Sequence, residues 1–319
     1  MLKLGLSLLV ILVAFWVLTQ WRASRHEAAA LRDYPPVGDF LEVDGKRVHY
    51  VAKGSGPDLV LIHGSSGNLR DMTFGLVDKL AQDYRVIAFD RPGLGYSDRL
   101  NGAGATISEQ AELLSKAAAQ LGAERPVVMG QSYGGAVALA WGVTRPEQTA
   151  ALVLISSPAY PWSTPLSTYY KVLSHPWLGL VAIPLLTAWV PESVVQRNVA
   201  EVFLPQSEPP GFAEHFGVAL TLRRSSLRAN ALQRAGLLSE MTALSERYDA
   251  LTMPIELVHG SADTTVGAVI HSVPFAQRHP NANLTLLERI GHMPHHNRPG
   301  AVIEAIHRAA FRAGLRPAP

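Results

Sequence analysis

The sequence predicts an α/β fold, built as a mostly parallel sheet with helices on both faces and an inserted helical cap. Short, continuously apolar runs alternate with runs of helical spacing over residues 38–157, and the same alternation returns over 251–319. Between them, residues 158–250 show helical patterns and many prolines without strand-like runs. Apolar strands that alternate with helices are typical of a parallel sheet covered on both faces. We therefore expect one core in two chain segments, 38–157 and 251–319, with residues 158–250 forming the cap.

The composition fits one large domain with an insertion and excludes several kinds of protein. The chain has 319 residues, 48% of them hydrophobic, which is enough to bury a sizeable core. Its 28 basic and 26 acidic side chains give a net charge of +2 without a long Lys/Arg run, so nucleic acid is not an expected partner. The absence of cysteine excludes disulfides, thiolate metal sites and a cysteine nucleophile.

The N-terminus is the segment that does not fit a soluble protein. Residues 4–18 are almost wholly apolar, with two tryptophans near the end of the run and Arg22 and Arg25 after it. A spanning helix needs roughly 17–25 such residues, so we predict an uncleaved membrane anchor over residues 1–21 and a linker over 22–37. A cleaved signal peptide is the alternative, but charged residues separate the small residues at 28–30 from the apolar run. Positive charge flanks both ends of the run, which leaves the orientation open.

The order of the predicted elements places the candidate site residues. Strands are predicted at 40–43, 47–52, 59–62, 85–89, 126–129, 152–155, 255–258 and 284–287, the first two as a hairpin around Asp44-Gly45. Helices are predicted at 69–81, 106–121, 135–143 and 301–311. The second of these helices should begin with a capping box, with Thr106 as the cap and Glu109 three residues on.

A G-x-S-x-G motif is the strongest chemical signal in the chain. Gly130-Gln131-Ser132-Tyr133-Gly134 follows an apolar strand and precedes a helix, which is the context that a nucleophile elbow requires. The sharp turn leaves no room for side chains at the glycine positions and lifts Ser132 above the sheet. The helix N-terminus behind it favours a developing negative charge. We predict that Ser132 is a nucleophile rather than a chance serine in a glycine-rich turn.

A serine hydroxyl needs a base, and His292 is the best candidate among the 12 histidines. It comes just after the last predicted strand, at the carboxyl edge of the sheet where open α/β sheets bind ligands. His295 and His296 are close rivals that lie further into the loop and could equally be solvated surface residues. His63 also ends a strand, and we expect it to orient the loop that follows.

Asp263 is the predicted partner of the base, because a carboxylate must hold the imidazole tautomer and stabilise the imidazolium. It lies in the loop after the strand at 255–258, which gives the chain order Ser, Asp, His of nucleophile-elbow enzymes. Glu288 and Asp249 are weaker candidates. For the oxyanion hole we predict the backbone N–H groups of Tyr133, next to the nucleophile, and of Ser65, in a loop of small residues after the strand at 59–62.

These motifs together resemble the α/β-hydrolase superfamily from about residue 38 to the C-terminus. The points of match, in the family's order, are His63-Gly64, the segment Phe89-Asp90-Arg91-Pro92-Gly93-Leu94-Gly95-Tyr96-Ser97, the elbow at Ser132 and Gly291-His292-Met293-Pro294. The resemblance implies an eight-stranded, mostly parallel sheet, a cap inserted after the sixth strand, a Ser-His-Asp triad, and neither cofactor nor metal. One departure is Asn297, since many relatives carry an acidic residue a few positions after the catalytic histidine. The serine at the elbow argues against the dehalogenase and epoxide-hydrolase relatives, which carry an aspartate there.

The expected reaction is hydrolysis of a carboxylic ester of an apolar small molecule through an acyl-enzyme. The apolar stretch at 177–190 favours an acyl chain or ring, although such residues also suit the cap's own core. The cap resting on the bilayer and admitting lipid-like esters is a further possibility. Carbon–carbon bond hydrolysis or perhydrolysis on the same triad is an alternative reaction, and a non-catalytic binding protein is the remaining alternative.

Overall fold

The computed structural model describes residues 2–317 and contains an eight-stranded, mostly parallel sheet, as predicted. In the plane of the sheet the strands run in the order β1-β2-β4-β3-β5-β6-β7-β8. The pairs β1–β2 and β2–β4 are antiparallel, and the remaining pairs are parallel. The strands are β1 Asp39–Val43, β2 Lys46–Lys53, β3 Asp58–Ile62, β4 Arg85–Phe89, β5 Val127–Gln131, β6 Ala151–Ile155, β7 Ile255–Gly260 and β8 Ala282–Leu287.

Helices cover both faces of the sheet and form the whole insertion between β6 and β7. Residues 158–250, all of which the structure describes, contain helices and turns but no strand. The helices are α1 Leu2–Asp33, α2 Arg70–Thr73, α3 Leu76–Leu80, α4 Ile107–Gln120, α5 Tyr133–Thr144, α6 Thr168–Ser174, α7 Leu178–Trp189, α8 Glu192–Val202, α9 Phe212–Phe216, α10 Val218–Thr221, α11 Arg224–Ser245, α12 Ser272–Arg278, α13 Pro294–Asn297 and α14 Pro299–Arg312.

The central strands are apolar throughout because both of their faces are buried. In β3, Val60 and Ile62 belong to the apolar cluster that includes α4 and α5, while Leu59 and Leu61 belong to the cluster on the other face, which includes α3 and α14. Successive side chains of a strand point to opposite faces, so each face of β3 meets its own helical layer. The predicted capping box at Thr106 and Glu109 is present and fixes the start of α4.

The structure corrects two predictions about local structure. The linker expected at residues 22–37 is helical as far as Asp33, because its Ala, Arg and Glu residues favour helix and Glu27 pairs with Arg224 of α11 at 2.6 Å. Pro35 and Pro36 follow and end the helix. The helix expected at 69–81 is divided into α2 and α3 by Gly75, whose φ of 84° cannot continue a right-handed helix.

Candidate active site

Ser132 lies in a strained turn at the carboxyl end of β5, directly before α5. Its φ of 51° and ψ of −121° are unfavourable for a residue with a side chain, which is a mark of a position held by its surroundings. A Cβ at Gly130 would overlap the carbonyl group of Gly134, and a Cβ at Gly134 would overlap the carbonyl of Ile62. The glycines on both sides are therefore required by the close approach of backbone, as the motif predicted.

The loops after β7 and β8 bring His292 and Asp263 together at the same edge of the sheet. His292 Nδ1 lies 2.8 Å from Asp263 Oδ2, and both side chains are buried. The other carboxylate oxygen of Asp263 accepts the backbone N–H groups of Thr265 and Val266 at 2.8 and 2.9 Å. Burial raises the pKa of the Asp263 carboxyl, but the histidine contacts and the Val266 N–H outweigh it and hold that pKa well below its ordinary value. The carboxylate is thus ionised and orients His292 with Nδ1–H toward it.

His259, which the sequence analysis did not single out, is a second histidine on the same carboxylate. Its Nε2 lies 3.2 Å from Asp263 Oδ2 and 2.7 Å from the carbonyl oxygen of Val266. Its Nδ1 lies 2.6 Å from Ser272 Oγ, so the imidazole is held at both nitrogens and is fully buried. Because the Val266 carbonyl accepts from Nε2–H, His259 fixes the loop that carries Asp263.

The weaker acidic candidates lie away from His292. Glu288 is an exposed residue whose only side-chain contact within residues 2–317 is a 3.5 Å hydrogen bond from Ser261. Asp249 is an exposed residue of a short 3₁₀ turn before β7. Of the three carboxylates considered, Asp263 is the one that contacts His292.

Gln131 lies between Ser132 and the proposed base. Its Nε2 amide is 3.4 Å from His292 Nε2 and 3.3 Å from the His292 carbonyl oxygen. The structure shows no hydrogen bond between the Ser132 hydroxyl and His292. The lone pair on His292 Nε2 faces the Gln131 amide instead. Catalytic hydrogen bonds are often long or misaligned without substrate. The contact with Gln131, the residue before Ser132, keeps His292 Nε2 next to the elbow.

A buried arginine orients the loop that carries the predicted oxyanion donor. Arg91 donates from Nε to the His63 carbonyl and from Nη2 to the Gly64 carbonyl, each at 2.9 Å. In a trans peptide the N–H points opposite to the C=O, so the Ser65 N–H is turned away from Arg91. A Cβ on Gly64 would lie 3.3 Å from the Cβ of Ser132, which places this loop beside the nucleophile position.

His63 has the orienting role expected for it. Its Nε2 accepts the Arg91 backbone N–H at 3.0 Å, and its Nδ1 lies 2.9 Å from the Gly64 carbonyl oxygen. Burial, with repulsion from Arg91, lowers the pKa of His63 to about 4, so the ring is neutral near pH 7. A neutral ring with Nδ1–H is the form that serves both bonds, which leaves no free nitrogen for proton transfer.

The cap holds both active-site loops through side chains that no sequence motif indicated. Asn230 of α11 accepts hydrogen bonds at Oδ1 from the Ser65 hydroxyl and from the Ser66 N–H, each at 2.8 Å. Gln206, between α8 and α9, accepts the Gly291 N–H at 2.9 Å directly before His292.

Neither the Ser65 N–H nor the Tyr133 N–H is taken up by a hydrogen bond in the described part of the chain, so both are available to an incoming oxygen.

His295 and His296 are buried partners of Asp71, which corrects their interpretation as solvated surface residues. Asp71 Oδ1 lies 2.7 Å from His296 Nε2 and 3.3 Å from His295 Nε2. Asp71 is the second residue of α2, in the segment that follows the Ser65 loop, so this contact ties the loop of the predicted oxyanion donor to the helix that follows His292. The burial of all three side chains comes from tertiary packing, which the local sequence does not indicate.

Asp71, His295 and His296 also form a candidate metal site. Within residues 2–317, no other group of histidine and acidic side chains has a geometry that could hold a metal ion. The candidate ligand atoms of these three residues all lie within 4.8 Å of one another. Hydrogen bonds within the group already use those atoms, and His295 Nδ1 is buried without a partner. A metal-bound histidine almost always donates its other N–H to an acceptor, so the cluster fits a buried hydrogen-bonded group of one carboxylate and two imidazoles better than a metal centre.

An eight-stranded α/β sheet with a serine elbow, a His–Asp pair at the same edge and a helical insertion defines a hydrolase of the α/β class. A family model described as alpha/beta hydrolase fold matches residues 57–299. Because this match covers more than half of the chain, the protein belongs to the α/β-hydrolase family, and the family predicted from the sequence is confirmed.

Similar curated proteins include several kinds of enzyme. Haloalkane dehalogenase 2 of Mycobacterium tuberculosis is 28% identical over 64% of this chain and 66% of its own length. The pimeloyl-[acyl-carrier protein] methyl ester esterase of Nitrosomonas europaea is 27% identical over 77% of this chain and 93% of its own length. A shorter match, 41% identical, covers 37% of this chain and 31% of the dihydrolipoyllysine-residue acetyltransferase component of the acetoin cleaving system of Cupriavidus necator.

Among solved structures, a membrane phospholipase A described as a bacterial virulence factor is 25% identical to this chain. It matches with a TM-score of 0.64 over 100% of both chains, the N-terminal helix included. An enol-lactonase from Burkholderia xenovorans LB400 shares the fold with a TM-score of 0.68, at 17% identity over 86% of this chain and 100% of its own. These proteins differ in the reactions that their names give, so they support an α/β-hydrolase without fixing its substrate.

Proposed function

We propose that the protein is a serine hydrolase that cleaves carboxylic esters of apolar substrates through an acyl-enzyme. The observation that carries the proposal is the His292–Asp263 hydrogen bond at the same sheet edge as the strained Ser132 elbow. The similarity to a methyl ester esterase and to a phospholipase A supports ester chemistry. The serine hydroxyl at the elbow supports acyl transfer.

In the proposed cycle, His292 Nε2 takes the proton of Ser132 as the oxygen attacks the ester carbonyl. The Ser65 and Tyr133 N–H groups then hold the oxyanion of the tetrahedral intermediate. His292 returns the proton to the departing alcohol, which leaves an acyl-Ser132 ester. It next takes a proton from water as hydroxide attacks this ester, and then gives that proton to the Ser132 oxygen as the acid departs. Asp263 stays ionised throughout and stabilises the imidazolium.

For His292 Nε2 to meet Ser132, the Gln131 amide must give up its 3.4 Å contact with that nitrogen. This contact is long for a hydrogen bond between neutral groups, so its loss costs little. We infer that substrate binding completes the Ser132–His292 hydrogen bond while Gln131 keeps its bond to the His292 carbonyl.

We also propose that α1 is an uncleaved membrane anchor. Its most apolar 18-residue window has a mean hydropathy of 2.3 and is 6% buried, values that a signal sequence would also show. The contacts of the following turns favour retention: Trp189 Nε1 donates to Thr19 Oγ1 at 3.1 Å, and Arg224 pairs with Glu27. Cleavage at residues 28–30 would remove both partners from the folded domain.

An activity panel tests the reaction and the nucleophile together. Wild type, Ser132→Ala and the exposed control Ser239→Ala are assayed on p-nitrophenyl esters of increasing chain length, with a dienoic diketone for carbon–carbon hydrolysis. We expect wild type and the control to cleave esters and Ser132→Ala to lose about 10⁵-fold in kcat. A fluorophosphonate should label wild type at Ser132. Ester turnover that survives in Ser132→Ala, or turnover of the diketone alone, would contradict the proposal.

A further inference from the structure

The cap has an apolar face that the protein itself leaves uncovered. The turn before α7 and the helix itself expose large apolar side chains, namely Trp177 at 74%, Leu178 at 53%, Leu180 at 62%, Val181 at 51% and Trp189 at 40%. We call these five residues the cap face. Isolated exposed apolar residues are ordinary, but a contiguous set of this size marks an interaction surface.

The cap face adjoins the membrane-proximal end of α1. The ring of Phe15 stacks on Trp189 with centroids 5.7 Å apart, and Arg22 lies 4.4 Å over the same ring while its Nε donates to the Ala188 carbonyl. The end of α7 is therefore level with the point where α1 changes from apolar to charged residues. Tryptophan is enriched at this boundary between hydrocarbon and water, and α1 itself carries Trp16 and Trp21 there.

The segment that carries the cap face has no charged residue of its own. The chain has no acidic residue between Glu147 and Glu192, and no charged residue between Lys171 and Glu192. Arg22 lies over the Trp189 ring at one end of the cap face, and exposed Glu192 follows at the start of α8. An uncharged apolar face beside a basic side chain is compatible with a position in the membrane interface.

The length and bend of the segment indicate that it lies on the bilayer and does not cross it. Helix α7 has 12 residues, about 18 Å, whereas the hydrocarbon core is about 30 Å thick. Together α6 and α7 are apolar enough for a span, but they are bent by 111° at the turn between them. A bent pair with exposed apolar side chains at and after its turn suits a shallow position among the lipid headgroups.

We propose that the cap face docks on the lipid bilayer that α1 crosses, so that the cap rests on the membrane. The inference rests on the proposed anchor, but not on the proposed ester chemistry. It uses the exposed side chains of the turn before α7 and of its first turn, whereas Ile183, Thr187 and Ala188, further along the helix, are buried in the domain.

The absence of cysteine allows a direct test on the full-length chain. The single-cysteine variants Leu180→Cys and Val181→Cys report on the cap face, and Val10→Cys reports on the anchor. Glu124→Cys is the control, because this exposed residue lies before β5, at the opposite end of the sheet. Each variant is labelled with a nitrobenzoxadiazole fluorophore and reconstituted into vesicles of phosphatidylcholine and phosphatidylglycerol. Quenching by lipid-borne nitroxide and by aqueous iodide is then measured, with hydrolysis of a soluble ester as the check on folding.

We expect the labels at 180 and 181 to be quenched by shallow nitroxide lipids and to show a severalfold lower iodide quenching constant than the label at 124. The docking is overturned if the labels at 180 and 181 behave like the label at 124 while the label at 10 is quenched by deep nitroxide lipids. That result would still support the anchor. A label at 10 that also behaves like the one at 124 would overturn both. The labels at 180 and 181 could also become protected from iodide as the protein-to-lipid ratio rises, without nitroxide quenching. This would show that the cap face binds a second copy of the chain, and it would also overturn the proposal.

Discussion

Asp71 Oδ1 lies 2.7 Å from His296 Nε2, and this contact joins the loop of the proposed oxyanion donor to the helix that follows the proposed base. Burial raises the pKa of the Asp71 carboxyl, but the contacts with His295 and His296 hold it well below its ordinary value. The ionised carboxylate is thus the link between two loops whose separation determines the site. Its removal should disturb both the stability of the fold and the geometry of the reaction.

We therefore expect Asp71→Asn to lower the free energy of unfolding by about 1–3 kcal/mol, because two buried imidazoles lose their ionised acceptor. It should also lower kcat on a soluble ester, since the helix that follows the proposed base loses its link to α2. Urea denaturation and steady-state kinetics measure the two effects. The control is Asp78→Asn, at an exposed surface pair with Lys53, which should change stability by less than about 0.5 kcal/mol. Equal stability of the two variants would contradict the role of Asp71.

Replacement of Asp263 by asparagine should lower kcat by about 10⁴-fold with a small change in KM. An asparagine amide in place of the carboxylate favours the wrong tautomer of His292 and removes the charge that stabilises the imidazolium. The control is Glu288→Gln, at an exposed carboxylate away from His292, which should retain wild-type kcat. A loss in Glu288→Gln equal to that in Asp263→Asn would remove the reason for choosing Asp263.

Removal of the cap side chain that holds the oxyanion loop should slow the reaction without unfolding the core. In Asn230→Ala the Ser65 hydroxyl and the Ser66 N–H lose their shared acceptor, so the loop is less firmly held. We expect kcat to fall about tenfold, less than the 100- to 1000-fold that loss of an oxyanion donor costs. Kinetics on a short soluble ester measure this, with Asn198→Ala, at an exposed position of the cap, as control. Unchanged kcat in Asn230→Ala would show that the loop holds its geometry without the cap.

The stability of the fold should decrease as the pH falls from about 6.5 to about 4. Burial lowers the pKa of His271 to about 4, and its Nδ1 accepts the Ala159 and Tyr160 N–H groups at 3.2 and 3.3 Å, which a protonated nitrogen cannot do. The unfolded chain takes up this proton below about pH 6.5, whereas the folded chain does not do so until about pH 4, so acid in this window favours unfolding.

The variant His271→Asn tests this assignment, because its side-chain oxygen can accept the same N–H groups and does not titrate. Urea denaturation at several pH values between 7.5 and 4.5 should show a slope of unfolding free energy against pH that is shallower than in wild type. The difference should be at most about 1.4 kcal/mol per pH unit, the value for one proton. Identical slopes in the two proteins would assign the acid sensitivity to other groups, of which buried His63, with its pKa of about 4, is one.

Local patterns were sufficient where neighbouring residues decide the structure. The elbow at Ser132 follows from glycines on both sides of it, and the capping box at Thr106 and Glu109 is complete within one helical turn. The predicted strands lie within a few residues of the observed ones, because continuous burial leaves a continuous apolar run. The division of the helix at 69–81 was missed, because the left-handed conformation at Gly75 has no signal in the apolar spacing.

The sequence by itself determined the family, the strand order along the chain, the elbow serine and the residues proposed to act with it, because each depends on residue type at a short or fixed spacing. Only the tertiary structure decided that Asp71 binds His295 and His296, that Asn230 holds the Ser65 loop, and that the end of α7 packs against α1 while its first turn stays exposed. These contacts join residues that are far apart in the chain and belong to separate elements. Their pairing is set by how the sheet, cap and N-terminal helix pack together, and no local pattern in a single sequence records it.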